Sequence, residues 1–160
     1  MNQADAVYRV LDGLGISYER HEHPPVFTAD DAARHWAAIP GVQCKNLFLR
    51  NKRGDRHYLA ILEISRRADL KEIVRTVGDD RLSFGSPERL MKELGLTPGS
   101  VSPFGLLNDD DGSVRVLIDS GLRDAARLIF HPNTNTASVV ISWRDLETFL
   151  GTRQNSLAFI

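Results

Sequence analysis

Apolar residues recur at helical spacing over Ala4–Leu14, where Val7, Val10, Leu11 and Leu14 share a face and Gly15 follows as a stop. Ile16 to His23 reads as extended. Pro24-Pro25 ends it, because each proline restricts itself and its predecessor. Thr28 is placed to cap a helix over residues 29–38, with Asp30 and Asp31 in the first turn and Pro40-Gly41 beyond it. Two strand-like runs, Cys44–Asn51 and His57–Ile64, flank Lys52-Arg53-Gly54-Asp55, which predicts a hairpin. Asp69 caps a helix over Leu70–Val77 that Gly78 closes, and Arg81–Phe84 is a short strand. Ser86-Pro87 opens a helix that runs to Leu94 before Gly95. Phe104–Leu107 reads as a strand, turned by residues 108–112 into another, Val114–Asp119. Arg127–His131 and Ala137–Ile141 follow, and Ser142 caps a last helix, Trp143–Leu150, stopped by Gly151. The tail Leu157–Ile160 is too short to assign.

Roughly seven strands and about five helices in mixed order predict an α+β fold, a mixed and mostly antiparallel sheet flanked by helices. Residues 1–160 are expected to form a single domain, since a chain of this length buries a core without staples. A net charge of -1 excludes a globally basic nucleic-acid binder, but 20 Lys+Arg against 21 Asp+Glu can still segregate into a local basic face. With Cys44 as the single cysteine, no internal disulfide or multi-cysteine zinc site can form. No apolar run is long enough to span a bilayer, and the N-terminus lacks a basic-then-apolar signal pattern. A cytoplasmic protein with no membrane partner is expected.

Several motifs fail on inspection. Gly13-x-Gly15 lacks a third glycine, and Leu107 stands where a calcium loop ending in Asp109-Asp110-Asp111-Gly112 needs its first carboxylate. His21 and His23 would share one strand face, yet no third metal ligand sits at a recognisable spacing, so no metal is expected. Ser100 or Ser102 with His131 and Asp119 could be assembled into a triad, but no nucleophile-elbow sequence supports one. What survives is Gly99-Ser100-Val101-Ser102-Pro103, with Lys45-Asn46 upstream and His131-Pro132-Asn133 downstream. A loop between Gly99 and Pro103 can present consecutive backbone N–H groups to a developing negative charge, or be a tight turn. Lys45 before the apolar run Leu47-Phe48-Leu49 is either a cleft cation or a snorkelling strand end.

His23-Pro24-Pro25-Val26-Phe27-Thr28, Lys45-Asn46-Leu47-Phe48-Leu49, the Gly99-x-x-x-Pro103 loop, Val116-Leu117-Ile118-Asp119 and His131-Pro132-Asn133 occur in one order. Together they resemble the YbaK-like aminoacyl-tRNA deacylases related to the editing domain inserted in bacterial prolyl-tRNA synthetases. The resemblance covers nearly the whole chain from His21 to the last helix. It implies that family's fold, and hydrolysis of the ester joining a wrong amino acid to the terminal adenosine of tRNA. No synthetase catalytic or anticodon-binding module is visible, so a trans-acting editor is expected. His131-Pro132-Asn133, where the Cys-tRNA(Pro) branch usually carries a small-residue segment, favours the branch that deacylates Ala-tRNA(Pro) and spares Pro-tRNA(Pro).

On this resemblance Lys45 would hold the 3′-terminal phosphate or ribose. The backbone of Gly99, Ser100, Val101, Ser102 and Pro103 would stabilise the oxyanion, and the substrate's own 2′-hydroxyl could activate the water. Asn46, Phe27, Thr28, Asp119, His131 and Asn133 are the expected substrate-binding residues, with Asp119 equally suited to a structural role. Val26, Phe27 and Leu47 could line a pocket that excludes proline. The partner implied is the tRNA(Pro) acceptor end, with a prolyl-tRNA synthetase or an elongation factor as candidate carriers of the substrate. No cofactor is expected. Lys52-Arg53, Arg56, Arg66-Arg67 and Lys71 are either an acceptor-stem face or scattered surface charge. Three alternatives remain: deacylation of Cys-tRNA(Pro) or a Ser- or Thr-charged tRNA, a silent module that binds tRNA or an amino acid without turnover, and a metal hydrolase through His21 and His23, which a chelator would inactivate.

Overall fold

Five side chains, those of Asn2, Thr28, Asp69, Ser86 and Ser142, each accept a hydrogen bond from the backbone N–H three residues on. Each satisfies a donor that a helix start leaves orphaned, and each begins a helix. The helices are α1 (Gln3–Gly13), α2 (Ala29–Trp36), α3 (Leu70–Val77), α4 (Pro87–Leu94) and α5 (Trp143–Gly151). Gly78 and Gly95 close α3 and α4 at φ +70° and +64°, in the left-handed region that glycine enters without penalty. This computed structural model describes residues 2–160.

The strands are β1 (Glu19–Glu22), β2 (Val42–Asn51), β3 (His57–Glu63), β4 (Leu82–Phe84), β5 (Arg115–Ile118), β6 (Leu128–Phe130), β7 (Ala137–Ile141) and β8 (Leu157–Phe159). They form one sheet in the order β1-β7-β6-β2-β3-β5-β8, with β4 also paired to β2. Pairs β1/β7, β2/β3, β2/β4 and β6/β7 are antiparallel, and β2/β6, β3/β5 and β5/β8 are parallel. The sheet is therefore mixed, with helices packed on it, as an α+β fold requires. Among the described residues no helix is long and apolar enough to cross a membrane.

One expected strand fails, and one unassigned segment forms a strand. Phe104–Leu107 is not a strand: it lies within a 3-10 helix over Pro103–Asn108. Pro103 has no N–H to place in a sheet, Ser102 caps the turn at the N–H of Phe104, and residues 103–106 are all buried, so no face alternates. The unassigned tail forms β8, which pairs parallel to β5 with Val116, Leu117 and Ile118 opposite Leu157, Ala158 and Phe159. All three β8 residues are exposed, so no burial period marked the strand in the sequence. Gly151 also belongs to α5 rather than stopping it.

One feature of β2 positions the site. Its edge away from β3 is shared: β6 pairs only with Val42 and Gln43, and β4 only with Leu49 to Asn51. Residues 44–48 thus have a strand neighbour on one side alone, and the sheet opens there.

In the core, Phe104 is fully buried and meets Phe130 edge-on at 6.3 Å and Phe149 at 5.1 Å between ring centroids. Phe104→Ala should cost about 3–5 kcal/mol, read as a lower urea midpoint with an unchanged m-value.

Candidate active site

Thr97-Pro98-Gly99-Ser100 is a type II turn. Ser100 N–H donates to the carbonyl of Thr97 at 3.1 Å, proline holds the second position, and Gly99 sits at φ +89°. The turn brings Gly99 against the backbone of Val26 and Phe27; a Cβ at Gly99 would stand 3.5 Å from the Val26 carbonyl oxygen. Past the turn, Ser102 Oγ donates to Asn133 Oδ1 at 2.7 Å and accepts from the N–H of Phe104 at 3.0 Å. Asn133 Nδ2 in turn donates to the Phe104 carbonyl at 3.1 Å. Asn133 itself takes φ +61°, a conformation asparagine tolerates better than most residues. Two residues on, Asn135 exchanges hydrogen bonds with Val26, through its side chain at 2.9 Å and its carbonyl at 3.1 Å. Three loops that lie far apart in the chain are thereby tied together by amide and hydroxyl groups.

These loops and the open edge of β2 enclose a cavity of about 150 Å³. Its polar boundary is Thr28, Lys45, Asn46 and His131, with Gly99 and Val101 from the turn. Val26, Ala32, Trp36, Cys44 and Ile64 form the apolar part, and Phe27 stands at the rim, 72% exposed. Ala32 and Trp36 are one helical turn apart on α2, so one face of that helix supplies a wall.

The chemistry on offer is specific. Among the described residues no carboxylate lies within ion-pair distance of Lys45. Asn46 Oδ1 is buried without a hydrogen-bond donor, a state that costs free energy until a ligand supplies one. The N–H groups of Gly99, Val101 and Ser102 meet no acceptor among the described residues. His131 is buried, and its Nδ1 lies 3.1 Å from the Ala137 carbonyl. A carbonyl only accepts, so Nδ1 carries the proton and Nε2 is the acceptor of the neutral ring. Burial pushes the His131 pKa below 6.5; the Ala137 carbonyl opposes this and the nearby His23 adds to it. Cys44 is no nucleophile at neutral pH: burial pushes its thiol up to about 12, against a weaker opposing hydrogen bond from Ile129. Among the described residues no cluster of three or more His, Cys, Asp or Glu could hold a metal ion.

Of the residues singled out in the sequence, Lys45, Asn46, Phe27, Thr28, Gly99, Val101 and His131 line the cavity. Ser100, Ser102, Pro103, Asp119 and Asn133 do not. Ser102 is fully buried and its hydroxyl is committed to Asn133 and Phe104, which leaves it no part as a nucleophile. Asp119 sits at the end of β5, where its carboxylate accepts from the N–H groups of Glu63 and Gly121 and from Arg66. Burial alone would raise its pKa, but these donors outweigh it and hold the carboxyl below its usual value. Arg66 is occupied there and at the Ile160 carbonyl, so it is not a free member of the expected basic face. Leu47 is also off the wall, whereas Ala32, Trp36, Cys44 and Ile64 were not anticipated. Their apolar positions were legible only as core, because nothing in their spacing separates a core face from a cavity wall.

Residues 23–149 match the family model of the aminoacyl-tRNA editing domain, a span that contains every residue of the cavity. The chain belongs to the aminoacyl-tRNA editing domain family. It is 39% identical to the prolyl-tRNA editing protein ProX of Acetoanaerobium sticklandii over 160 residues, 100% of this chain and 98% of that one. It is 31% identical to the prolyl-tRNA synthetase associated domain-containing protein 1 of Bos taurus, covering 91% of this chain and 86% of the relative. Among solved structures, a protein proposed as a trans-editing enzyme for prolyl tRNA synthetase superposes with a TM-score of 0.75 at 24% identity. That match covers 99% of this chain and 96% of the other, so the editing-domain fold extends over the whole sheet.

The state of His131 is directly measurable. Its pKa is lowered by folding, so its stabilising contribution is full above 6.5 and is lost as the pH falls toward the depressed value, because the unfolded chain takes up the proton first. An NMR titration should place the His131 midpoint below 6.5, and His131→Gln should flatten the loss of stability on that acid side.

Proposed function

We propose that this editing domain hydrolyses the ester of aminoacyl-tRNA(Pro) mischarged with alanine and spares Pro-tRNA(Pro). The single observation that carries the reading is the cavity at the open edge of β2. There, among the described residues, a lysine without a carboxylate partner, an asparagine oxygen without a donor and a turn with unpaired N–H groups converge. The relationship to the prolyl-tRNA editing protein ProX supports the substrate class.

An aminoacyl ester is already activated, so the protein needs chiefly to position it beside water and to stabilise the tetrahedral oxyanion. In this reading the Lys45 ammonium, a compact charge, holds the 3′-terminal phosphate or ribose. The N–H groups of Gly99 and Val101 face the carbonyl oxygen as it becomes an oxyanion, which is where fixed donors contribute most. Asn46 Oδ1 receives the donor it lacks from the α-ammonium group, and His131 Nε2 accepts from a ribose hydroxyl. The exposed ring of Phe27 offers a face on which the terminal base stacks. Water is activated by the substrate's 2′-hydroxyl, since among the described residues the titratable groups on the wall are Lys45, His131 and the buried Cys44 thiol. Ser102, Asn133 and Asp119 serve by fixing loops rather than by touching substrate. The His131-Pro132-Asn133 segment supports alanine over cysteine, because it puts an imidazole on the wall where the resemblance associates small residues with the cysteine branch.

Ester loss from Ala-tRNA(Pro), with Pro-, Cys-, Ser- and Thr-charged tRNA alongside, tests this. Alanine should be released and proline retained. Lys45→Ala should lower kcat/KM by about 10²-fold, the cost of misplacing the reacting ester. Release of another amino acid in preference to alanine would overturn the alanine assignment, and binding of charged tRNA without ester loss would favour the silent module.

A further inference from the structure

Ser138 lies in β7, fully buried, and does not line the cavity. The indole Nε1–H of Trp36 donates to its Oγ at 2.5 Å. His23 Nε2 lies 2.8 Å from the same oxygen, and His23 Nδ1 lies 2.9 Å from the Pro24 carbonyl. The carbonyl can only accept, so in the neutral ring Nδ1 holds the proton and Nε2 accepts from the Ser138 hydroxyl. A directed chain results: Trp36 donates to Ser138, Ser138 to His23, and His23 to Pro24. One end reaches the cavity and the other stops two residues short of it. Trp36 is a wall residue from α2, and Pro24 leads within two residues to Val26, the facing wall from the first loop. The carbonyl of the adjacent Ala137 orients His131, which packs against Trp36 at 5.2 Å between centroids.

Volume alone does not explain the exclusion of proline. An apolar cavity of about 150 Å³ can hold a molecule the size of benzene, so a five-membered ring is not too large for this one. Discrimination must come from where the walls stand. We propose that Ser138 is a positioning residue that fixes the Trp36 and Val26 walls relative to one another, and so sets which small aminoacyl groups the cavity accepts. The inference rests on the deacylase reading. A single methylene in a close-fitting pocket changes rates by about 10- to 200-fold, so a small shift of one wall has a measurable effect.

The test is a cycle of wild type, Ser138→Ala, Trp36→Phe and the double variant, with kcat and KM measured on Ala- and Pro-charged tRNA(Pro). Ser138→Ala should lower the ratio of alanine to proline hydrolysis about tenfold, through slower turnover of alanine and new release of proline. Trp36→Phe removes the donor and leaves Ser138 in place, which gives a second arm should Ser138→Ala fold poorly. It should shift the ratio in the same direction, and the double variant should be no worse than either single one. An unchanged ratio in Ser138→Ala, or effects that multiply in the double variant, would overturn the proposal. The exchange of the Trp36 indole proton with solvent, followed by NMR, reads the hydrogen bond without substrate. Faster exchange in Ser138→Ala supports the tie and unchanged exchange overturns it. A wild type inert on every charged tRNA would instead sink the deacylase reading, with the indole measurement still deciding whether the tie exists.

Discussion

Strand β2 pairs with β6 at Val42 and Gln43 and with β4 at Leu49 to Asn51, and between those stretches its only strand neighbour is β3. Backbone groups along that open stretch must be met by something other than a strand. In this protein the space is closed by loops, and the cavity is what remains between them and residues 44–46. Successive side chains on a strand point to opposite faces, yet Cys44, Lys45 and Asn46 all border the cavity. A cavity that meets the strand at its edge can be reached from both faces, so the opening is what makes consecutive residues into one site.

Loops cannot hold such a space by apolar contact alone, because each carries backbone polar groups that need partners. Here the partners are side chains. Ser102 and Asn133 lock the turn to the β6–β7 connection, Asn135 locks that connection to Val26, and Asp119 with Arg66 ties the ends of β3, β5 and the C-terminal residue. Ser102, Asn133 and Asp119 are buried polar residues. Their hydrogen bonds decide geometry more than they add stability, since a typical one contributes about 1 kcal/mol while an orphaned partner costs more. Asn46 Oδ1 and the N–H groups of Gly99 and Val101, unpaired among the described residues, belong to residues that line the cavity.

The apolar half of the cavity works by different physics. Trp36, Val26 and Ala32 are buried at 2%, 2% and 6%, so they behave as core residues that happen to border a void. Beyond close packing, Trp36 is held by the hydroxyl of Ser138 and Val26 by Asn135. Selectivity in such a site is a property of the packing around it, which is why a residue off the wall can govern it.

Short-range rules made most of the elements readable. Thr28, Asp69, Ser86 and Ser142 stand where caps are needed, glycines stand where α3 and α4 end, and Lys52-Arg53-Gly54-Asp55 marks the β2–β3 hairpin, because these choices depend only on residues three or four apart. The ordered motifs also carried the resemblance to the editing family. Other features were out of reach of local pattern. Pro103 and the burial of residues 103–106 turned an expected strand into a 3-10 helix, and β8 exists because β5 offers it an edge. Ser102, Asn133 and Asp119 look in sequence like site residues, since buried structural and ligand-binding polar groups are drawn from the same residue types. Which of them face the cavity, and that Trp36 and Ser138 belong to its construction, depended on contacts between segments up to about a hundred residues apart. Such contacts leave no periodic trace, so most of the elements and the family were legible in the sequence, and only the packing of distant segments decided where the cavity lies and which side chains shape it.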